Sequence, residues 1–442
     1  MFSNYLRVAL RILRKNKGFS LLNLIGLSLG MSCAVLILLW VNDELSYNKF
    51  HSSYDNLYQV IENQSYDGKT YTFSALPGPF APNVKQDLPE IKYSTRSDWG
   101  TQMLFSLGEK SIYETGYYVD PDFLKMFSFE LKKGDTGILN DPTSIIITEK
   151  MSEKFFGKQD PIGKTLKVNN DQLMTVKGVV KDPPLNSNIR FAWLASFKGY
   201  ETKNEWLREW GNNGIMSYVQ LKEGADFTRV NKKLKNYISS KDSSAIAKPF
   251  LLSMADWRLR SRFEEGKPAG GRIEHVRLFS IIALLIIIIA CINFMNLATA
   301  RSDQRAREVG VRKVMGAGKG MLVRQFMSES LVMAFVAMII AALIVLAVLS
   351  PFNTLVEKEM VFTLSNPVIN TGLPLLALLC GLLAGSYPSF YLSSFNPISI
   401  FRGMRAGKGA SAVVVRKVLV VAQFMISIVL IICTIIIYQQ IQ

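Results

Sequence analysis

From position 42 to position 277 the sequence contains no cysteine. A disulfide framework and a thiolate metal site are therefore excluded from that stretch. All four cysteines, Cys33, Cys291, Cys380 and Cys433, sit in apolar runs. Histidine is nearly absent as well. His51 and His275 are the whole complement, too far apart for the helical pairing that zinc sites use. The apolar runs carry no Asp, Glu, Lys, Arg or His at their middles. Ionisable side chains at bilayer depth are the usual mark of proton or ion coupling, so their absence argues against a secondary transporter. Asn23, Asn293, Asn296 and Gln423 are the polar exceptions, and hydrogen bonding between helices accounts for them. No nucleophile–base pair or metal cluster stands out, which leaves a membrane enzyme as the weakest function class.

What is present is a set of five runs, each long enough to cross a bilayer, which takes about 20 apolar residues. They occupy 19–41, 278–299, 326–349, 372–392 and 418–438. The fold class expected is thus a membrane protein. A bundle of five transmembrane α-helices carries a large α+β extracytoplasmic domain, 42–277, between spans one and two. The remaining pieces are a cytoplasmic stretch at 1–18, a basic segment at 300–325, an outer loop at 350–371 and a basic loop at 393–417. The first run is longer than a signal-peptide core and lacks a small-residue cleavage site. A lipoprotein reading at Cys33 fails because Gly30 stands where a branched apolar residue is expected.

The net charge of +16 is divided unevenly. The 42–277 stretch holds 33 basic and 30 acidic residues, whereas 1–19, 300–325 and 393–417 together hold 17 basic and two acidic ones. Lys and Arg mark cytoplasmic loops. The N-terminus and both basic loops are expected inside the cell membrane and the large domain outside. A nucleic-acid binder would put its basic face on the folded domain, which here is nearly neutral. Residues 1–18 place Phe2, Leu6, Ala9 and Leu13 on one stripe and Arg7, Arg11 and Arg14 on another. That pattern suits a helix lying on membrane lipids or a simple positive flank.

Within the outer stretch, Thr143–Thr148 reads as a strand followed by a helix through Phe156. Lys164–Val168 and Gln172–Val180 read as a hairpin around Asn169-Asn170-Asp171. Ile215–Leu221 reads as a strand, and Asp226 as the cap of a helix through Ile238. Gly157–Thr165, GKQDPIGKT, imitates a phosphate-binding loop but has five residues before its Gly-Lys where four are needed. Pro161 also removes a backbone donor from any such nest. No cofactor or metal site is expected in this chain.

Two features concern helix packing and coupling. Gly26 with Gly30, and Gly381 with Gly385, form GxxxG pairs that let helices approach closely in lipid. Pro374 and Pro388 are expected to kink or end the fourth span. The segment RSDQRAREVGVRKVMGAGKGMLVR at 301–324 reads as a short cationic helix. Arg301, Arg305, Glu308, Arg312 and Lys319 fall on one side of it, with Glu308 and Arg312 at pairing distance. Gly316, Gly318 and Gly320 then break the helix. By itself this pattern fits either a docking surface or a solvated helix that only sets topology.

The blocks NLATARSDQRAREVGVRKVMGAGKGMLVRQFMSES and GLLAGSYPSFYLSSFNPISIFRG carry a resemblance. So do ELSYNKFHSSYDNLYQV and DPTSIIITEKMSEKFFGKQDPIGKTLKV. Through them the sequence resembles the ABC-transporter permeases that include MacB, the lipoprotein-releasing permeases and FtsX. The resemblance implies a MacB-like periplasmic core domain at 42–277 and an FtsX-like permease domain at 278–400. It also implies that Arg301, Arg305, Arg307, Glu308, Val309, Gly310, Arg312, Lys313, Gly316 and Ala317 form the region that couples to an ATPase. ATP and magnesium would then be bound by a separate cytoplasmic ATPase subunit, and this chain would be a non-catalytic permease subunit of the inner membrane. A periplasmic or outer-membrane partner is a further candidate. The fifth span looks like the start of a second copy of the layout, so a second permease copy or a C-terminal half is expected as a partner. The alternative function is a membrane-anchored extracytoplasmic sensor or scaffold without ATPase coupling.

Overall fold

The computed structural model describes residues 17–300, 302–363, 365–394 and 409–441. The stripe at 2–14, Arg301, Arg402, Arg405 and Lys408 lie outside the described residues, as do the side chains of 302–304 and 307. The chain divides into two compact units, Met1–Asn42 with Val276–Gln442, and Asp43–His275.

In the first unit the apolar runs are helices. Helices along the chain include α1 (Lys17–Leu45), α2 (Phe80–Asp87), α3 (Glu149–Phe156), α4 (Phe227–Leu234) and α5 (Tyr237–Lys241), followed by α6 (Arg272–Ala300), α7 (Ser302–Val314), α8 (Lys319–Val356), α9 (Pro367–Ser393) and α10 (Gly409–Ile441). Five stretches, α1, α6, α8, α9 and Arg416–Ile436 of α10, are long and apolar enough to cross a membrane. Small residues set the packing of four of them. A Cβ on Gly30 would lie 2.6 Å from Ala290 Cβ of α6, and one on Gly26 would lie 3.0 Å from Asn293 Nδ2. Gly381 and Gly385 sit in the same way against Leu331 and Ser330 of α8. Ala334, Ala337, Ala341, Cys380 and Ala384 fill the seam between α8 and α9.

Several local expectations need correction. Neither Pro374 nor Pro388 ends α9. The helix begins earlier, with Pro367 in its first turn and the Asn366 side chain accepting from Val368 N–H, and it runs through both prolines. In a tightly packed bundle the remaining ladder bonds and neighbouring helices hold a proline-containing helix together. Helix α8 starts seven residues before the apolar run, so Glu329 lies in its third turn and is buried. Asn23 bonds within its own helix, donating to Phe19 O at 3.0 Å, rather than to a neighbour.

The second unit is built on a 13-stranded sheet. Its strands in chain order begin with β1 (Leu57–Tyr66), β2 (Lys69–Phe73), β3 (Leu76–Pro77), β4 (Ile91–Ser97), β5 (Thr101–Leu107), β6 (Lys110–Val119) and β7 (Leu131–Lys133). They continue with β8 (Ser144–Thr148), β9 (Thr165–Val168), β10 (Gln172–Val180), β11 (Trp193–Ser196), β12 (Asn213–Leu221) and β13 (Lys248–Ser253). Strand β11 pairs with β8 and, in parallel, with β6, which closes β6-β5-β9-β10-β8-β11 into a ring. Phe105, Ile145, Ile147, Leu166, Val176 and Trp193 belong to the core of this half, under α3. Gly116 is needed where the ring closes, because a Cβ there would sit 2.1 Å from Trp193 O. The other half is the antiparallel run β4-β12-β1-β13, with β2 on β1. Phe80, Val84, Val219, Val230, Leu234 and Ile238 bury one of its faces under α2, α4 and α5. Arg96 joins the halves by donating to both oxygens of Asp120 at 2.9 Å and to Glu201 at 2.7 Å.

The single helix expected from Asp226 to Ile238 is two helices. Asp226 does cap α4, accepting from Thr228 and Arg229 N–H. The chain breaks at Lys235–Asn236, and the turn lets Tyr237 reach Asp87 Oδ2 at 2.6 Å while Ile238 stays buried.

Candidate functional site

The region between α6 and α8 is organised by one helix, α7, and the turn after it. The turn follows from sequence. Gly316 takes φ +94°, its N–H donates to Lys313 O, and Ala317 N–H donates to Arg312 O. That is the paired hydrogen-bond pattern with which a left-handed glycine closes a helix. Gly318 then precedes α8 as its N-cap, whereas Gly320 is an ordinary helical residue of α8. Two of the three glycines thus break the helix.

The face of α7 at 305, 309 and 312 packs on the following helices. Val309 is 1% exposed and clusters with Leu322, Phe326 and Leu392. Arg305 Nη1 donates to Glu329 Oε2 at 2.7 Å, and its guanidinium lies 5.6 Å from the centroid of the Phe326 ring. Gln325 Nε2 donates to Glu329 Oε1 at 3.1 Å, and Arg312 donates to Gln325 and, at 2.6 Å, to Glu308. Five side chains from 305 to 329 therefore form one connected network that fastens α7 to α8. Glu329 is 9% exposed at its side chain, so its charge is compensated by Arg305 rather than by water.

Among the described side chains, the opposite face carries three exposed apolar residues. Val311 is 48% exposed, Val314 69% and Met315 82%, with Met321 of α8 at 57%. Glu308 stands among them, and Lys319 and Arg324 are exposed nearby. The arrangement divides the ten residues singled out from the sequence. Arg305, Val309, Gly310 and Arg312 turn inward or are buried; Glu308 and Gly316 face out; Lys313 and Ala317 are half-buried. Arg301 and the Arg307 side chain lie outside the described residues. The wheel put Arg305, Glu308, Arg312 and Lys319 on one side; in the structure Arg305 and Arg312 turn toward α8, whereas Glu308 and Lys319 are exposed. Glu329, Gln325, Val311, Val314 and Met315 were missed. An acid just inside an apolar run was the available signal for Glu329.

Two family models match this chain: the MacB-like periplasmic core domain over residues 20–237, and the FtsX-like permease C-terminal domain over residues 280–397. The chain belongs to the MacB/FtsX-like family of ABC transporter permeases. This permease is a multi-pass membrane protein with an extracytoplasmic domain of strands and helices between its first and second spans, as expected from the sequence. It is similar to the macrolide export ATP-binding/permease protein MacB of Bdellovibrio bacteriovorus, at 23% identity over 71% of this chain and 45% of that protein. The protein of the same name from Neisseria gonorrhoeae is 24% identical over 67% of this chain and 43% of its own length. The permease therefore spans about half the length of the curated relatives it matches. Among solved structures, the periplasmic region of MacB from Actinobacillus actinomycetemcomitans aligns with 46% of this chain and 90% of its own. Its TM-score is 0.35 and its identity 17%.

Proposed function

We propose that the permease works with a cytoplasmic ABC ATPase and carries ATP-driven motion to its extracytoplasmic domain for export, extraction or signalling. The outward face of α7, with Glu308, Val311, Val314 and Met315, is the proposed docking surface. The observation that carries this reading is the combination of that exposed apolar face with the inward network: a surface fit for a partner, on a helix fixed to a span. The relatives' printed names pair an ATP-binding function with a permease, and this chain matches the permease models. ATP and magnesium would be held by the partner, with no catalytic role for this chain. The orientation proposed is an inner-membrane protein with a cytoplasmic N-terminus, since 300–325 is the most basic loop.

The test uses the full chain purified from native membranes. An ATPase should co-purify with the wild type. The double variant Val311→Asp, Met315→Asp should lose at least nine-tenths of it while inserting normally, because charges in an apolar interface leave it unpaired and desolvated. Undiminished co-purification with that variant, or no ATPase with the wild type, defeats the reading.

A further inference from the structure

A polar cleft of about 190 Å³ opens in the extracytoplasmic unit, at the end of the β4-β12-β1-β13 half. At ~30 Å³ per water it has room for about six waters, the scale of a small functional group on a short stem. Gln64 and Tyr66 enter it from β1, Trp210 and Asn213 from the approach to β12, and Asp242 and Ser244 from the turn after α5. No Lys, Arg or His lines it.

Its polar groups are fixed from behind. Glu62 is fully buried, and its Oε1 accepts from Asn213 Nδ2 at 2.7 Å and from Gln64 Nε2. Gln64 Oε1 in turn accepts from the Tyr66 hydroxyl. Glu62 Oε2 is buried with no hydrogen-bond partner among the described residues. On the other wall, Asp242 Oδ1 accepts from Ser244 N–H at 2.9 Å and from Ser244 Oγ at 2.6 Å. These bonds hold the Asp242 carboxyl below its ordinary value, and so ionised. Its Oδ2 lies over Gly211, 3.7 Å from where a Cβ would stand, so the glycine leaves space beside that oxygen.

The lining decides the ligand class. One ionised carboxylate with no cation excludes an anion. An indole, a phenol and two oriented amides provide cation–π and hydrogen-bonding partners for a positive group. We propose that this cleft binds a primary ammonium group, with Asp242 Oδ2 as its counter-charge, Trp210 and Tyr66 as aromatic walls, and Asn213 as a partner positioned by Glu62. The ammonium could be a lysine side chain or a free peptide N-terminus. The inference stands apart from the ATPase reading, since it concerns only Asp43–His275.

The experiment titrates the full chain in lipid nanodiscs by calorimetry with three probes. These are Nα-acetyl-lysine amide, alanine amide, and the doubly acetylated lysine amide, which has no charge. Saturable binding of either amine, with the neutral probe about fivefold weaker or worse, supports the proposal at the strength of one partly exposed charge pair. Preference for the first probe assigns a lysine side chain, and preference for the second a free N-terminus. Asp242→Asn should weaken the amines about fivefold and leave the neutral probe unchanged. Glu62→Ala should weaken binding, and Glu62→Gln, which can still accept from both amides, should restore part of it. A thermal melt on each variant separates folding from binding. Equal binding of charged and neutral probes, an Asp242→Asn variant that binds like the wild type, or no saturable binding of either amine overturns the proposal.

Discussion

Cutting the ion pair between Arg305 and Glu329 should release α7 from α8. The pair is 2.7 Å long, with side-chain exposures of 21% and 9%, and Glu329 has one further donor in Gln325. Removing one member of a buried pair costs about 3–5 kcal/mol, mostly because the other charge is left unpaired. Arg305 keeps a fifth of its surface in water, so about 2–3 kcal/mol is the better figure. That energy raises the undocked population roughly 30- to 150-fold, at 1.4 kcal/mol per factor of ten. Val309, 1% exposed beneath α7, is the reporter. On a chain whose own cysteines are replaced by alanine, Val309→Cys should react slowly with a membrane-permeant maleimide. Adding Arg305→Ala or Glu329→Ala should speed the reaction by about the factor given above. Adding both should do no more than the worse single change, because the pair is broken once. An unchanged rate in Arg305→Ala, or two effects that simply add, would refute the latch.

Other consequences follow from the same geometry. Gly30→Leu should lower the melting temperature in detergent, since Ala290 Cβ already stands 2.6 Å from a Cβ at that position; Gly372→Leu, with nothing within 4 Å, should not. Arg258 donates to both oxygens of fully buried Glu44, at 2.7 and 3.0 Å. Glu44 also accepts from Arg272 at 3.4 Å, so Arg258→Ala leaves it one cationic partner and should destabilise this unit by about 1–2 kcal/mol, read as faster proteolysis at Asp43–His275. His51 is buried, accepts from Ser128 N–H at Nδ1, and is pushed down to about 4 by burial. Its contribution is present above pH 6.5 and is lost as pH falls through about 4. Glu62 is pushed up to about 7 by burial, so its contribution is present below pH 4.5 and is lost as pH rises through about 7. Each is worth up to about 3 kcal/mol, and the two oppose each other across the same window. The Glu62→Gln variant should consequently lose stability on acidification more steeply than the wild type in a melt series from pH 7 to 4. In whole cells, an impermeant thiol reagent should reach Lys158→Cys at once, and Met315→Cys only after permeabilisation.

Local chemistry was legible in the sequence wherever it is written in adjacent residues. Asn169 and Asn170 both adopt positive φ, 49° and 62°, as the hairpin reading of β9 and β10 requires. Asp226 caps α4, and Gly316 stops α7. Long-range pairing was not legible. Nothing in Trp193–Ser196 announces that it pairs with Gly116–Val119, some 77 positions earlier, to close the ring. The cleft is hidden for the same reason, since Glu62 and Asn213 are 151 residues apart. The direction of α7 was not legible because a helix wheel shows which residues share a face, not what that face meets. The acid that draws Arg305 inward lies 24 positions away on the next helix.

That inward turn changes what the basic residues are for. Were the arginines themselves the docking surface, α7 would be held to α8 by little beyond Val309 and its cluster, and a pull on it would first deform the elbow. With Arg305 and Arg312 spent on Glu329 and Gln325, a displacement of α7 meets a network anchored in the third turn of α8. At 1.5 Å per residue, the 38 residues of α8 span about 57 Å, well beyond a ~30 Å hydrocarbon core. Helix α8 also packs closely along α9, with Leu331 and Ala334 against Gly381, and Ser330 and Met327 against Gly385, which leaves little room for a shift. On the proposed reading, specificity for the ATPase then lies in Val311, Val314 and Met315, and transmission lies in the arginines. Substitutions in the first group should abolish association, whereas Arg305→Ala should leave the ATPase bound but uncouple its hydrolysis from any change in the extracytoplasmic unit.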